Sequence, residues 1–226
     1  MRLFSILIML LTLPTVSAFG ISLIDSCGML SLGDMTYILK NDVGAESICF
    51  EVLESGITLD CNGYNVIGKN EGDWALFGLK SNFDNTNVKN CNFIDFTYDI
   101  YLQDSTGNRI SDSSFSASSN SSTTIYDSAS VHIFNVKNSF FEGLEFKEKL
   151  PSRALYILGS KDNRFKEIEI NFPINLIPPS PVLLRESRRN MFDNIKINSS
   201  ETTGGIILYR SAENTIKNSY IHSGGD

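Results

Sequence analysis

The stretch LYILGSKDNRFKEIEI, residues 155–170, sets Leu155 and Ile157 two apart, passes through a polar turn ending at Asn163, and resumes with Phe165, Ile168 and Ile170. Two apolar side chains separated by one residue share a face of a strand, so the period is that of extended chain and not of a helix. The same pattern recurs along the second half of the chain. With Asn163 as an anchor, equivalent positions fall at Asn108, Ser139, Asn190 and Asn214, separated in order by 31, 24, 27 and 24 residues. Positions −8 and −6 from the anchors are Ile100/Leu102, Val131/Ile133, Leu155/Ile157, Val182/Leu184 and Ile206/Leu208. Positions +2 and +7 are Ile110/Phe115, Phe141/Phe146, Phe165/Ile170, Phe192/Ile197 and Ile216/Ile221. Position +5 is Leu144, Ile168 and Ile195, with Ser113 and Ser219 as exceptions.

Short strands that recur with a fixed corner and a variable connection after +7 predict parallel stacking, each coil laid about 4.8 Å above the last. The expected fold is all-β, a parallel β-helix of a single strand of chain in about seven coils around an apolar interior. Asn at the anchors suits this geometry, because Asn tolerates left-handed backbone angles and its amide can bond the equivalent group in the next coil. Asn108, Asn163, Asn190 and Asn214 are therefore expected to form a structural ladder. A leucine-rich repeat is the architectural rival, but its Asn follows the strand, whereas here it precedes Phe165 and Phe192.

One earlier coil fits with Thr86 as anchor, Val88 at +2 and Phe93 at +7, its preceding strand at Leu79 being out of step by one residue. ITLDCNGYNVIG, residues 57–68, precedes it by one coil. Taken with repeats such as NTIKNSYI, residues 214–221, this stretch resembles the secreted right-handed β-helix proteins of archaea and related microbes, NosD-like members of the pectate-lyase-like superfamily. The resemblance covers roughly residues 27–226 and implies the right-handed fold. It implies no single activity, because such proteins include lyases, hydrolases, epimerases, a copper-enzyme maturation factor and proteins without assigned chemistry.

The cysteines are Cys27, Cys49, Cys61 and Cys91, an even number open to three connectivities. Cys61 falls near the corner of its coil and Cys91 at +5 of the next, which would bring them together as a disulfide or a pair of buried thiols. A nucleophilic Cys61 is disfavoured, since no His lies nearby to activate it. Cys27 and Cys49 bracket a segment without the repeat, so residues 19–54 are expected to form a disulfide-stapled N-terminal cap, with residues 55–226 as the helix proper. The chain stops at SYIHSGGD, short of the strand that would complete that coil, which reads as a truncated C-terminus.

Residues 1–18 carry Arg2, an apolar run from Leu3 to Leu13 and Val16-Ser17-Ala18, the pattern of a secretory signal. Export to the cell surface or medium follows, with no membrane span expected after cleavage, and about 200 residues remain, enough for one domain. The net charge of −7 argues against a nucleic-acid partner. Only His132 and His222 are present, and no metal site or cofactor is expected. Asn120 and Asn198 head N-S-S glycosylation sequons.

Residues between the apolar positions should point outward. Column −7 is Tyr101, His132, Tyr156, Leu183 and Ile207; column −5 is Gln103, Phe134, Leu158, Arg185 and Tyr209. So aromatic a face marks an interaction site, and flat rings suit sugar faces. Tyr101, His132, Phe134, Tyr156 and Tyr209 are thus the candidate ligand-binding residues. Inserted loops at residues 116–130 or 171–182 could instead cover this face, and Trp74 in a further loop fits either arrangement. The opposite face alternates in charge. There Glu145 and Glu169, one coil apart with Lys166 nearby, are the weak catalytic candidates, with Ca²⁺ as a possible cofactor of a lyase. Lys137, Lys161 and Arg188, all at −2, form a basic column suited to an anionic glycan. The expected function is a secreted, non-catalytic β-helix that binds a polysaccharide or cell-surface protein; the alternative is a polysaccharide lyase or glycoside hydrolase.

Overall fold

A computed structural model describes residues 20–69, 76–116, 128–147, 153–172, 180–199 and 204–223. Every strand pairing is parallel, and the chain winds as a β-solenoid of about seven turns. One wall is an eight-stranded sheet running from Gly28–Leu30 through Ile48–Val52, Phe77–Ser81, Tyr98–Gln103, Ala129–Phe134, Arg153–Leu158 and Val182–Arg185 to Ile206–Tyr209. The second sheet contains the long strands Arg109–Ser116, Phe140–Lys147, Arg164–Phe172 and Met191–Ser199.

Interior files of side chains run along the stack. Phe50, Leu79, Ile100, Val131, Leu155 and Val182 succeed one another in register, each at most 1% exposed. Val88, Ile110, Phe141, Phe165 and Phe192 make another, in which the last three rings stack with centroids 4.7 Å apart. That spacing is the strand-to-strand distance itself, so identical side chains fill the cylinder without gaps. Each buried aliphatic or aromatic side chain contributes about 1.5–3 kcal/mol from removal of apolar surface from water.

Positions +2 and +5 both face inward although three residues apart, which plain alternation forbids. The chain solves this with a left-handed residue at +4: Asp112, Gly143, Glu167, Asn194 and Asn218 all have φ between 48° and 63°. Two further left-handed columns make the corner between the sheets. At −4 stand Asp104, Asn135, Gly159, Glu186 and Arg210; at −1 stand Gly107, Asn138, Asp162, Arg189 and Glu213. Glu and Arg rarely adopt these angles, so here the stacked coils impose them.

The anchors form a hydrogen-bond ladder, but none of Asn108, Asn163, Asn190 and Asn214 has the left-handed backbone expected of it; those angles fall at neighbouring positions. Asn163 Oδ1 accepts the Ser139 N–H, Asn190 Oδ1 accepts the Asn163 N–H, and Asn214 Oδ1 accepts the Asn190 N–H. A second ladder at −3 was not foreseen: the Val136 N–H donates to Ser160 Oγ, the Ser160 N–H to Ser187 Oγ, and the Ser187 N–H to Ser211 Oγ. Together they satisfy backbone donors that the tight corner would otherwise bury unpaired.

Cys27 pairs with Cys49 and Cys61 with Cys91. Cys61 and Cys91 are wholly buried in successive coils, which excludes a nucleophilic Cys61. The expected cap needs correction in its described residues. Gly20–Ile24 pairs with Met35–Leu39, which pairs with Thr58–Asp60, and Gly28–Leu30 pairs with Ile48–Val52. Residues 20–54 are thus coils of the same solenoid, and the first disulfide joins coils instead of stapling a separate lid. Residues 1–18, Trp74 and Asn120 lie outside the described residues.

Candidate functional site on the outer wall of the eight-stranded sheet

The outer columns stand in the expected register: Tyr101, His132, Tyr156, Leu183 and Ile207 succeed one another, as do Gln103, Phe134, Leu158, Arg185 and Tyr209. Their surroundings divide them. Tyr156 is buried at 1% exposure and His132 at 7%, whereas Tyr209 is 47% and Ile207 41% exposed. Around the imidazole of His132 crowd the rings of Tyr98, Tyr101 and Tyr156, with centroids at 5.6, 5.1 and 4.6 Å. Phe77 extends this cluster by stacking on Tyr98 at 5.1 Å. Arg153 lies over the Tyr156 ring at 5.7 Å, and a hydrogen bond with Tyr156 raises Arg185 further above its ordinary value. Burial, aided by the charge of Asp104, raises the Tyr101 hydroxyl. His132 and Tyr156 are therefore packing residues of an aromatic cluster, and the expectation that they present an open ligand surface is corrected. Tyr101 and Phe134 are half-buried at its margin.

The last described coil is exposed on both faces, for the inward-facing Leu208, Ile216 and Ile221 are 47%, 40% and 44% exposed. Leu183, Arg185, Ile207 and Tyr209 line a shallow depression of about 320 Å³. Two guanidinium groups lie near the Tyr209 ring, Arg185 at 5.8 Å and Arg210 at 5.2 Å from its centroid. A half-exposed ring with cations nearby combines apolar surface with hydrogen-bond donors. Arg210 also belongs to the adjoining corner groove of about 500 Å³, which Lys137, Lys161, Arg188, Glu186 and Glu213 line as well. The basic column forms as expected, Lys137 pairing with Lys161 and Lys161 with Arg188. The groove and the Tyr209 depression share no lining residue, and Arg210, whose guanidinium lies 5.2 Å from the Tyr209 ring, stands between them.

The weak catalytic candidates lie on the second sheet. Glu145 stands beside Glu169 in register, and Glu169 beside Lys196. Lys166 does not approach them as a free base. It donates to Glu142 at 2.7 Å and pairs with Glu167 at 3.0 Å, and the bonds to these two carboxylates raise its pKa. The same Lys166 bond holds Glu142 below its ordinary value. Glu145 pairs with Lys147 at 2.8 Å. Among the described residues, no group of three or more His, Cys, Asp or Glu side chains is placed to hold a metal ion. Asn198 is exposed on this sheet and donates to Asn171 Oδ1 at 2.9 Å.

The fold defines a repeat protein built as a parallel β-solenoid. The chain belongs to the right-handed β-helix family, whose model, described as "Right handed beta helix region", matches residues 77–226. Comparison with curated proteins and with solved structures finds no match.

Proposed function

We propose that this chain is an exported β-helix protein that binds a glycan on the outer wall of its eight-stranded sheet, centred on Tyr209. The observation that carries this reading is the exposed Tyr209 ring with Arg185 and Arg210 close by, at a depression completed by Leu183 and Ile207. A sugar face has C–H groups that pack on an aromatic plane, while its edge hydroxyls take the guanidinium donors. Export is supported by the leader-like residues 1–18 and by two disulfides, which persist in oxidising surroundings. No helix among the described residues is long and apolar enough to cross a membrane.

A lyase or hydrolase working through Glu145, Glu169 and Lys166 has less support, because Lys166 is held as a cation by two carboxylates. The test is binding of the purified chain to a glycan array, compared with Tyr209→Ala. Loss of signal in the variant is the expected result. Equal signals from the two proteins, or release of product from uronic-acid polymers that disappears in Glu169→Gln, would overturn the reading.

A further inference from the structure

Several coils before Tyr209, the outer wall of the eight-stranded sheet holds a second depression, of about 190 Å³. Glu51, Lys80 and Tyr101 stand along it in register in successive coils, Asn82 borders it, and the buried residues Val52 and Ser81 lie beneath. Elsewhere on the stack, opposite charges in register pair directly: Asp60 with Lys89 at 3.1 Å, Glu142 with Lys166 at 2.7 Å and Asp193 with Lys217 at 3.3 Å. Glu51 and Lys80 do not. Among the described residues, neither forms an ion pair or a side-chain hydrogen bond, and the Lys80 ammonium lies instead over the Phe77 ring, 5.9 Å from its centroid. The Asn82 amide is equally uncommitted among the described residues. Glu169 and Lys196 also stay apart in register, but there Glu169 accepts from Asn171.

Glu51 and Lys80 are both half-buried, so each has given up part of its water without gaining a charged partner. The Tyr101 side of the depression is fixed: its hydroxyl donates to Gln103 Oε1 at 3.2 Å, and Gln103 donates to Asp104 at 2.9 Å. The depression therefore presents a full negative charge, a full positive charge on the adjoining coil, a free amide and an aromatic ring. We propose that it binds a small zwitterion, a free α-amino acid, with the ligand ammonium on Glu51, the ligand carboxylate on Lys80 and Asn82, and the ligand side chain against Tyr101. A ligand with two fixed opposite charges satisfies both residues at once, whereas a simple anion or cation leaves one of them unpaired beside it. A sugar offers hydroxyls to both, but bonds in which both partners are ionised are stronger. The ordinary alternative is a loose surface ion pair between Glu51 and Lys80, which the experiment below separates from a site. The depression shares no lining residue with that at Tyr209, so this inference is independent of the glycan reading.

The experiment is calorimetric titration of the full chain with L-leucine, with 4-methylpentanoate, which lacks only the ammonium, with isopentylamine, which lacks only the carboxylate, and with D-glucose. The proteins are wild type, Glu51→Gln, Lys80→Met, the double variant and Tyr209→Ala, with thermal melting to confirm that each is folded. Wild type and Tyr209→Ala should bind leucine roughly tenfold or more tightly than either single-charge analogue, the effect of one charge-assisted contact. Glu51→Gln should lose the preference for leucine over 4-methylpentanoate and keep that over isopentylamine; Lys80→Met should do the reverse. Partial unfolding cannot mimic this crossed pattern, because it weakens every ligand alike. The proposal is overturned if wild type does not bind leucine, if an analogue or glucose binds as tightly, or if both variants keep the wild-type preferences. Absence of leucine binding together with non-additive losses of melting temperature in the single and double variants would identify a plain Glu51–Lys80 ion pair in its place.

Discussion

Asn190 Oδ1 accepts two hydrogen bonds from Asn163, the backbone N–H at 3.1 Å and the side-chain amide at 3.0 Å. Both residues are buried to about 1% exposure or less, and Asn190 in turn donates its own amide to Ser160 O and Asn214 Oδ1. Replacing Asn190 by Ala strips the acceptor from two buried donors at once, and each unsatisfied group costs about 1–3 kcal/mol. Asn190→Ala should therefore destabilise the fold by roughly 2–5 kcal/mol in urea unfolding. Asn194→Ala, at an exposed left-handed position of the same coil, should cost less. Equal losses in the two would mean that the ladder is incidental to stability.

Phe165 tests the interior in the same way. Its ring lies between those of Phe141 and Phe192, centroids 4.7 Å away and planes within 9° and 5°. Phe165→Ala should cost about 3–5 kcal/mol, and Phe165→Leu distinctly less because more of the volume is kept. Phe140, one residue from Phe141 but on the outer face beneath Arg109, should lose far less when changed to Ala. Chemical denaturation of the three variants decides the matter. A Phe140→Ala loss as large as that of Phe165→Ala would contradict the inward and outward assignment.

These interior columns were legible in the sequence because burial demands one property, apolarity, at a fixed spacing. The ladder at Asn108, Asn163, Asn190 and Asn214 was legible for a similar reason, since few side chains serve a stacked buried corner. The left-handed columns were not. Glu167, Glu186, Arg189 and Arg210 have no intrinsic preference for those angles, and only the stacked coils hold them there. Ser160, Ser187 and Ser211 escaped notice because serine in a turn is ordinarily solvated. Residues 20–54 concealed their coils in three- to five-residue strands too short to show a period. In the outer wall, alternation placed His132 and Tyr156 outside the cylinder correctly but carried no information about what packs over them.

The Cys61–Cys91 bridge closes 30 residues of chain and lies wholly inside the cylinder. In the loop-closure account such a cross-link stabilises by about 3.6 kcal/mol through the unfolded state. Cys61→Ala/Cys91→Ala should lower the unfolding free energy by about that much, adjusted by packing changes, while leaving the solenoid assembled. Unfolding compared with and without reductant should show the wild type converging on the variant. Unchanged stability in the double variant would show that stacking alone secures these coils.

Acid should loosen the ladders of surface charge. Hydrogen bonds from Lys166, Arg189 and Asn218 hold Glu142, Asp162 and Asp193, respectively, below their ordinary values of 4.5 for Glu and 3.8 for Asp. A carboxyl whose folded value is depressed adds stability that is fully present above its unfolded value and disappears as pH falls through the folded one. Stability should accordingly be level near neutrality and decline below about pH 4.5, and added salt should shrink the decline because these groups are exposed. Lys166, raised by its two carboxylates, contributes in the opposite sense, its share being lost only above its ordinary 10.5. Asp162→Asn should flatten part of the acid limb in melting temperature against pH. An identical profile would remove the Arg189 pair from the account.

Tyr156 and Tyr209 occupy the same outer wall, in adjoining columns two coils apart, yet they should respond oppositely to truncation. Tyr156 is packed by His132 on one side and approached by Arg153, so Tyr156→Ala opens a void and should cost about 3–5 kcal/mol, as for other buried aromatic residues. Tyr209 is half in solvent, and Tyr209→Ala should cost about 1 kcal/mol or less while removing the plane on which a sugar could pack. Glycan binding by Tyr156→Ala, measured well below its lowered melting temperature, should fall less than in Tyr209→Ala, because Tyr156 does not line the depression and reaches it only through its hydrogen bond with Arg185. Binding lost in Tyr156→Ala but kept in Tyr209→Ala would move the site onto the aromatic cluster and withdraw the assignment made here to Tyr209.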